Sequence, residues 1–215
     1  MTLSSVPAFS QDLDASTIVT SVEITRMDDR ALVELPKIPL NPVDEVAMYI
    51  DSIIAIGKKV WPIIEAGRPV INTSGVAASL SILPRLEGTR SELHSMANWS
   101  APKVISYRVS YKNYFGSEVI GFTYTVFFQY NGSLQGKGKY ITSLKAQASN
   151  ISAAWGFDFD VTSELVSVAN VGTDADPVAS AILQVAYKAR GLLNEQQSVH
   201  SFYVDGNGTM QSLNN

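Results

Sequence analysis

Cysteine is absent from this chain of 215 residues. Disulfide frameworks, thiolate metal sites and cysteine nucleophiles are therefore excluded. Histidine is nearly absent as well, with only His94 and His200, which rules out a multi-histidine zinc centre. Charged residues make up 17% of the chain, less than the usual quarter, and the formal net charge is −4. No global basic field exists to hold nucleic acid. Lys137, Lys139 and Lys145 cluster locally and read as a solvated strand face. No apolar run approaches the ~18 residues of a membrane-spanning helix, so no transmembrane helix is expected. Walker, Rossmann and Gly-X-Ser-X-Gly signatures are all missing, and no cofactor is implied.

Present in quantity are hydrophobic residues, 46% of the chain. They alternate with polar ones through most of the second half. From Val104 the Tyr, Phe, Val, Ile and Thr content and the period of two predict long antiparallel strands over 104–111, 119–130, 134–149, 155–169, 178–190 and 197–204. Asn131-Gly132, inside Tyr130-Asn131-Gly132-Ser133, is the strongest hairpin signal. A turn there sets Phe127 opposite Gly136 and Thr125 opposite Gly138. On the other parity, Phe122, Tyr124, Val126 and Phe128 face Ile141, Lys139, Lys137 and Gln135.

The first half is less regular. Residues 1–16 read as a flexible terminus or the remnant of a signal peptide, because Ser5-Val-Pro-Ala-Phe-Ser-Gln11 resembles the small-residue end of such a leader. Residues 17–215 read as one domain. A short hairpin is expected over 17–35. Asn41 then offers an N-cap, Pro42 suits the first helical position, and Asp44 and Glu45 complement the helix dipole. Val46, Tyr49, Ile50, Ile53, Ile54, Gly57, Val60, Trp61 and Ile64 follow at helical spacing over about five turns, predicting an amphipathic helix that Pro62 kinks or ends and Gly67-Arg68-Pro69 finishes. The predicted fold class is α+β, a long-stranded, twisted antiparallel meander packed on that one N-terminal helix; a β-sandwich with an edge helix is the alternative. A mild strand pattern covers 70–83, and the irregular stretch 84–102 reads as a loop.

Candidate chemistry is thin. Asp158, Asp160 and Glu164 share one strand face, and carboxylates two residues apart on a strand lie about 6.5–7 Å apart at their α-carbons. That spacing suits an acid/base pair or a hard cation, and it also suits the solvated side of a half-buried strand. Asp174, Asp176 and Asp205 sit in oxygen-rich turns that lack the full ligand series of a calcium loop. His94 lies near Ser91, Glu92 and Ser95, but nothing frames a nucleophile. Five Asn-X-Ser/Thr triplets, at Asn72, Asn98, Asn131, Asn150 and Asn207, read first as turn chemistry.

The leading functional expectation is an exported, non-enzymatic protein, periplasmic or secreted from a bacterium, that binds a protein partner or a small apolar ligand. Tyr49, Ile53, Trp61, Phe122, Tyr124 and Trp155 are the expected ligand-binding residues. The alternatives are a hydrolase using Asp158, Asp160 or His94, a membrane-active protein, and for location the cytoplasm.

Overall fold

The computed structural model describes residues 15–27, 45–49, 59–69, 79–84 and 95–214. Strands account for 73% of these residues and helical turns for 2%. The described part of the chain is therefore almost all β, and the α+β expectation is overturned. The predicted N-terminal helix is not there: Glu45–Tyr49 and Lys59–Glu65 are both strands. The remainder of that predicted helix, Ile53 included, lies outside the described residues.

Among the described residues, thirteen strands form two sheets. The first contains β1 (Val19–Met27), β2 (Glu45–Tyr49), β5 (Ser79–Leu83), β6 (Met96–Ala97), β7 (Lys103–Asn113), β8 (Glu118–Leu134) and β9 (Lys137–Ala153), in the order β1-β7-β8-β9-β5-β2, with β6 paired to β8. The second contains β3 (Lys59–Glu65), β4 (Arg68–Pro69), β10 (Asp158–Asn170), β11 (Ala179–Arg190), β12 (Glu195–Asp205) and β13 (Met210–Ser212), in the order β13-β12-β11-β10-β3-β4. These strands pair antiparallel except β2 with β5, and one isolated parallel bridge joins Lys139 to Val178. The C-terminal strands are thus not one continuous meander. Residues 154–157 carry the chain from the first sheet into the second.

The sheets pack face to face through rings. Phe122 stacks on Phe159 at 5.3 Å between centroids, Tyr107 meets Phe202 at 5.6 Å, and Tyr124 meets Tyr187 at 6.3 Å. Each pair joins a strand of the first sheet to one of the second. Offset and edge contacts of this kind add to the burial of large apolar area. On β8, Ile120, Phe122, Tyr124, Val126 and Phe128 point inward and are fully buried. Its other face is covered in part by long charged side chains. Lys145 lies over the Phe127 ring, 4.7 Å from its centroid, and the Arg108–Glu118 pair lies across Gly121.

The hairpin register differs from the sequence expectation. The β8–β9 turn falls at Gln135-Gly136, both at positive φ (51° and 77°), with Leu134 opposite Lys137. Phe127 consequently faces Lys145, Thr125 faces Gln147, Tyr124 faces Ala148 and Val126 faces Ala146. Asn131 keeps the left-handed conformation (φ 65°) that Asn tolerates well, but as an irregularity within β8. Tertiary contacts decide this. The Asn131 amide donates to the Gly206 carbonyl of the opposite sheet at 3.0 Å, and the Trp99 ring occupies the space a side chain at Gly132 would need.

Candidate functional site

The register places three connections at one end of the sandwich. Tyr111 pairs with Ile120 and Ile120 with Ala153, so the β7–β8 and β9–β10 connections are neighbours. Asp158 pairs with Arg190, which puts the β11–β12 connection beside them. At their tips stand Tyr114 (71% exposed), Phe115 (57%), Trp155 (92%), Leu192 (69%) and Leu193 (58%). Every other exposed large apolar side chain among the described residues is at most 51% exposed. Apolar side chains scattered singly need no explanation, whereas five on adjacent tips do. The opposite end carries Gln135-Gly136, Asp174, Asp176 and Gly206-Asn207-Gly208 and is polar.

Polar side chains hold the tips in place. Asn113 Oδ1 accepts from the amides of Phe115 (3.1 Å) and Ser117 (3.0 Å), shaping the first tip, while its Nδ2 donates to the Ser16 carbonyl. Asn194, at the foot of the third tip, accepts from the Val19 amide (3.0 Å) and donates to the Val19 carbonyl (2.6 Å). Residues 16–19 thus staple the first sheet to the second beneath the tips. Phe157 closes the middle, with its ring against Gly191.

Below the tips runs a collar of ion pairs. Arg108 meets Glu118 at 2.5 Å, Lys112 meets Glu23 at 2.7 Å and Lys188 meets Glu195 at 2.7 Å. Arg190 reaches Asp160 at 2.6 Å and Asp158 at 3.4 Å. Burial alone would raise the Asp160 pKa, but the Ala66 amide and Arg190 hold it below the ordinary carboxylate value. Hydrogen bonds from Lys112 and Lys188 lower Glu23 and Glu195 in the same way. Asp158 and Asp160, the expected acid pair, therefore serve as partners of one guanidinium.

The sandwich interior holds a second polar cluster. The Tyr124 hydroxyl hydrogen-bonds His200 Nδ1, and His200 Nε2 lies 2.8 Å from Ser212 Oγ. On paper this is a serine, a base and an orienting group. Proton directions argue otherwise. Burial pushes the Tyr124 phenol well above its ordinary value and the neighbouring Tyr111 up to about 12. Tyr124 therefore keeps its proton, and because Ser212 donates to the Asn214 carbonyl, the tautomer that satisfies every group has Tyr124 donating to Nδ1. Nε2 then carries the other proton and donates to Ser212, whose hydroxyl donates onward to the Asn214 carbonyl at 3.0 Å. Nε2 has no lone pair to offer, and burial lowers the proton affinity of His200. This chain orders the core rather than activating a nucleophile.

The remaining candidates fall as follows. Phe122 and Tyr124 are fully buried between the sheets, with rings 6.4 Å apart. Trp61 is half-buried on β3 and packs against the same core. Trp155 stands in solvent at the middle tip, so the structure does not bring it together with them. Tyr49 lies in β2, and Ile53 and His94 lie outside the described residues. Asp205 is buried and accepts from the amides of Asn207 and Thr209, both at 2.9 Å; Asp176 accepts from the Gly138 amide at 2.9 Å. Both carboxylates shape turns. Among the described residues no cluster of three or more His, Asp and Glu is placed to hold a metal ion, and no helix is long and apolar enough to cross a membrane.

Sequence reasoning missed Tyr114, Phe115, Leu192 and Leu193. The available signal was apolar side chains in turn positions, in Tyr114-Phe115-Gly116, Trp155-Gly156 and Leu192-Leu193, from which no core can be reached. No protein family, no curated protein and no solved structure matches this chain.

Proposed function

We propose that the protein is a non-enzymatic binding module that docks through the apolar end of its sandwich. The observation that carries this reading is the gathering of Tyr114, Phe115, Trp155, Leu192 and Leu193, the most exposed large apolar side chains described, on three adjacent tips. Leaving such side chains in water forgoes roughly 1.5–3 kcal/mol each relative to full burial. A surface of this kind fits a contact. The stapled frame supports the reading, since preorganised tips lose little conformational freedom on docking. The non-catalytic part is supported by the engagement of Asp158 and Asp160 with Arg190 and by the outward direction of the His200 hydrogen bonds. Export from a bacterial cell belongs to the same proposal, carried by the 5–11 pattern and the lack of cysteine, and cell fractionation tests it.

Phenyl-agarose chromatography of the full chain tests the docking surface. Wild-type protein should elute late, and the Trp155→Ser/Leu192→Ser double variant clearly earlier. Co-elution of the two rejects the proposal.

A further inference from the structure

Resting on the reading of the apolar end as a docking surface, we infer that its occupant is the interfacial zone of a zwitterionic lipid bilayer. The three tips enter the bilayer and the sandwich remains outside.

The form of the surface points to a fluid partner. Tyr114 and Phe115, whose rings lie 5.7 Å apart, share one turn, Leu192 and Leu193 share another, Trp155 stands alone on the third, and all five stand in solvent, 57–92% exposed. They are prongs rather than a flat patch. A folded partner must carry a matching hollow for each prong, whereas acyl chains and headgroups flow around them. The residue types agree, because Trp and Tyr favour the boundary between headgroups and hydrocarbon, and Phe and Leu favour the hydrocarbon beneath.

Charge placement sets the depth and the lipid class. Residues 114–117, 154–157 and 191–194 contain no charged side chain. The first charges, Glu118, Asp158, Arg190 and Glu195, stand at the feet of the turns, and each is paired within the protein. The tips therefore enter without carrying an ion into low dielectric, and the collar stops at the headgroups. Because the collar pairs four cations with five carboxylates, a net charge of −1, it offers no net pull on anionic lipid. Lys103, Lys137 and Lys139, cations that would supply such a pull, lie toward the opposite end, where Lys103 donates to the Gly208 carbonyl and Lys139 to Asn207. Attraction to this membrane is apolar rather than electrostatic.

Flotation of the full chain with vesicles of pure phosphatidylcholine tests the inference. Wild-type protein should float with the vesicles, equally at low and high salt. Trp155→Ser and Leu192→Ser should each weaken partitioning by about tenfold or more, the lower bound being the loss of about 1.5 kcal/mol of apolar burial. Val171→Ser, at the polar end, should float like wild type. Thermal melts confirm that all three variants are folded. The inference is overturned if wild type does not float, if Trp155→Ser floats equally well, or if flotation requires anionic lipid and collapses in salt. It is also overturned if sedimentation without lipid shows a dimer that Trp155→Ser dissociates, which assigns the tips to a second copy of the chain. Protein that ignores vesicles yet stays on phenyl-agarose in a Trp155-dependent way removes the bilayer and leaves the docking surface standing.

Discussion

Replacing Tyr124 by phenylalanine removes one oxygen from the middle of the sandwich, and the structure sets the outcome. That hydroxyl donates to His200 Nδ1, and both residues are buried. Phenylalanine keeps the ring contacts with Tyr107, Phe122 and Tyr187 but leaves a buried ring nitrogen without its donor. Such a loss costs about 1–3 kcal/mol. In a chain of this size each kcal/mol shifts the melting temperature by about 2–4 °C, so a fall of about 2–12 °C is expected. Tyr187→Phe is the internal control. Its ring lies 6.3 Å from that of Tyr124, yet its hydroxyl is buried with no hydrogen-bond partner among the described residues. Removing that hydroxyl should be neutral or stabilising by up to about 1 kcal/mol. Thermal unfolding followed by near-ultraviolet circular dichroism, with urea titrations alongside, reads both variants. Equal destabilisation by the two substitutions, or a benign Tyr124→Phe, would refute the hydrogen-bond assignment.

Three further outcomes follow from the same geometry. His200 binds its proton less readily in the fold than in the unfolded chain, where histidine titrates near 6.5, so its contribution is complete above about pH 6.5 and declines as pH falls below it, by at most about 1.4 kcal/mol per pH unit. Urea unfolding from neutral to mildly acidic pH should show that slope, and His200→Gln should flatten it; an unchanged slope contradicts the assignment. Asn194→Ala removes both bonds to Val19 and should cost about 1–3 kcal/mol, with faster hydrogen exchange at the Val19 amide. Gly121→Ala meets only the movable ends of Arg108 and Glu118 and should cost less than about 1 kcal/mol, the worth of an exposed pair, whereas Gly206→Ala meets the Lys139 backbone and should cost about 1–3 kcal/mol. Urea midpoints for the two glycine variants decide that ranking.

The second half of the chain was legible because alternation there is nearly undisturbed. Ile105, Tyr107, Val109 and Tyr111 on β7, and Phe159, Val161 and Leu165 on β10, all face the core that their period of two indicates. The first half misled because a short apolar run satisfies both periods. In β3, Val60, Trp61 and Ile64 fit a helical stripe, yet they belong to the unbroken apolar run 60–64, which a strand accommodates equally well. Pro62, expected to kink or end a helix, lies instead within β3, opposite Thr162 of β10. The turn was misplaced for another reason. Asn131-Gly132 and Gln135-Gly136 both accept positive φ, and the contacts with Gly206 and Trp99 that decide between them come from residues distant in sequence. The apolar tips are hard to see in the sequence because alternation alone sends Trp155 inward with Phe157 and Phe159, and only Gly156 beside it marks a turn.

Quenching of Trp155 fluorescence by phosphatidylcholine with brominated acyl chains reports directly on where that side chain goes. Strong quenching with a blue-shifted emission, both lost in Trp155→Phe, is the expected result. Emission from Trp155 that stays at its aqueous wavelength and ignores the bromines would contradict docking of these tips into a bilayer.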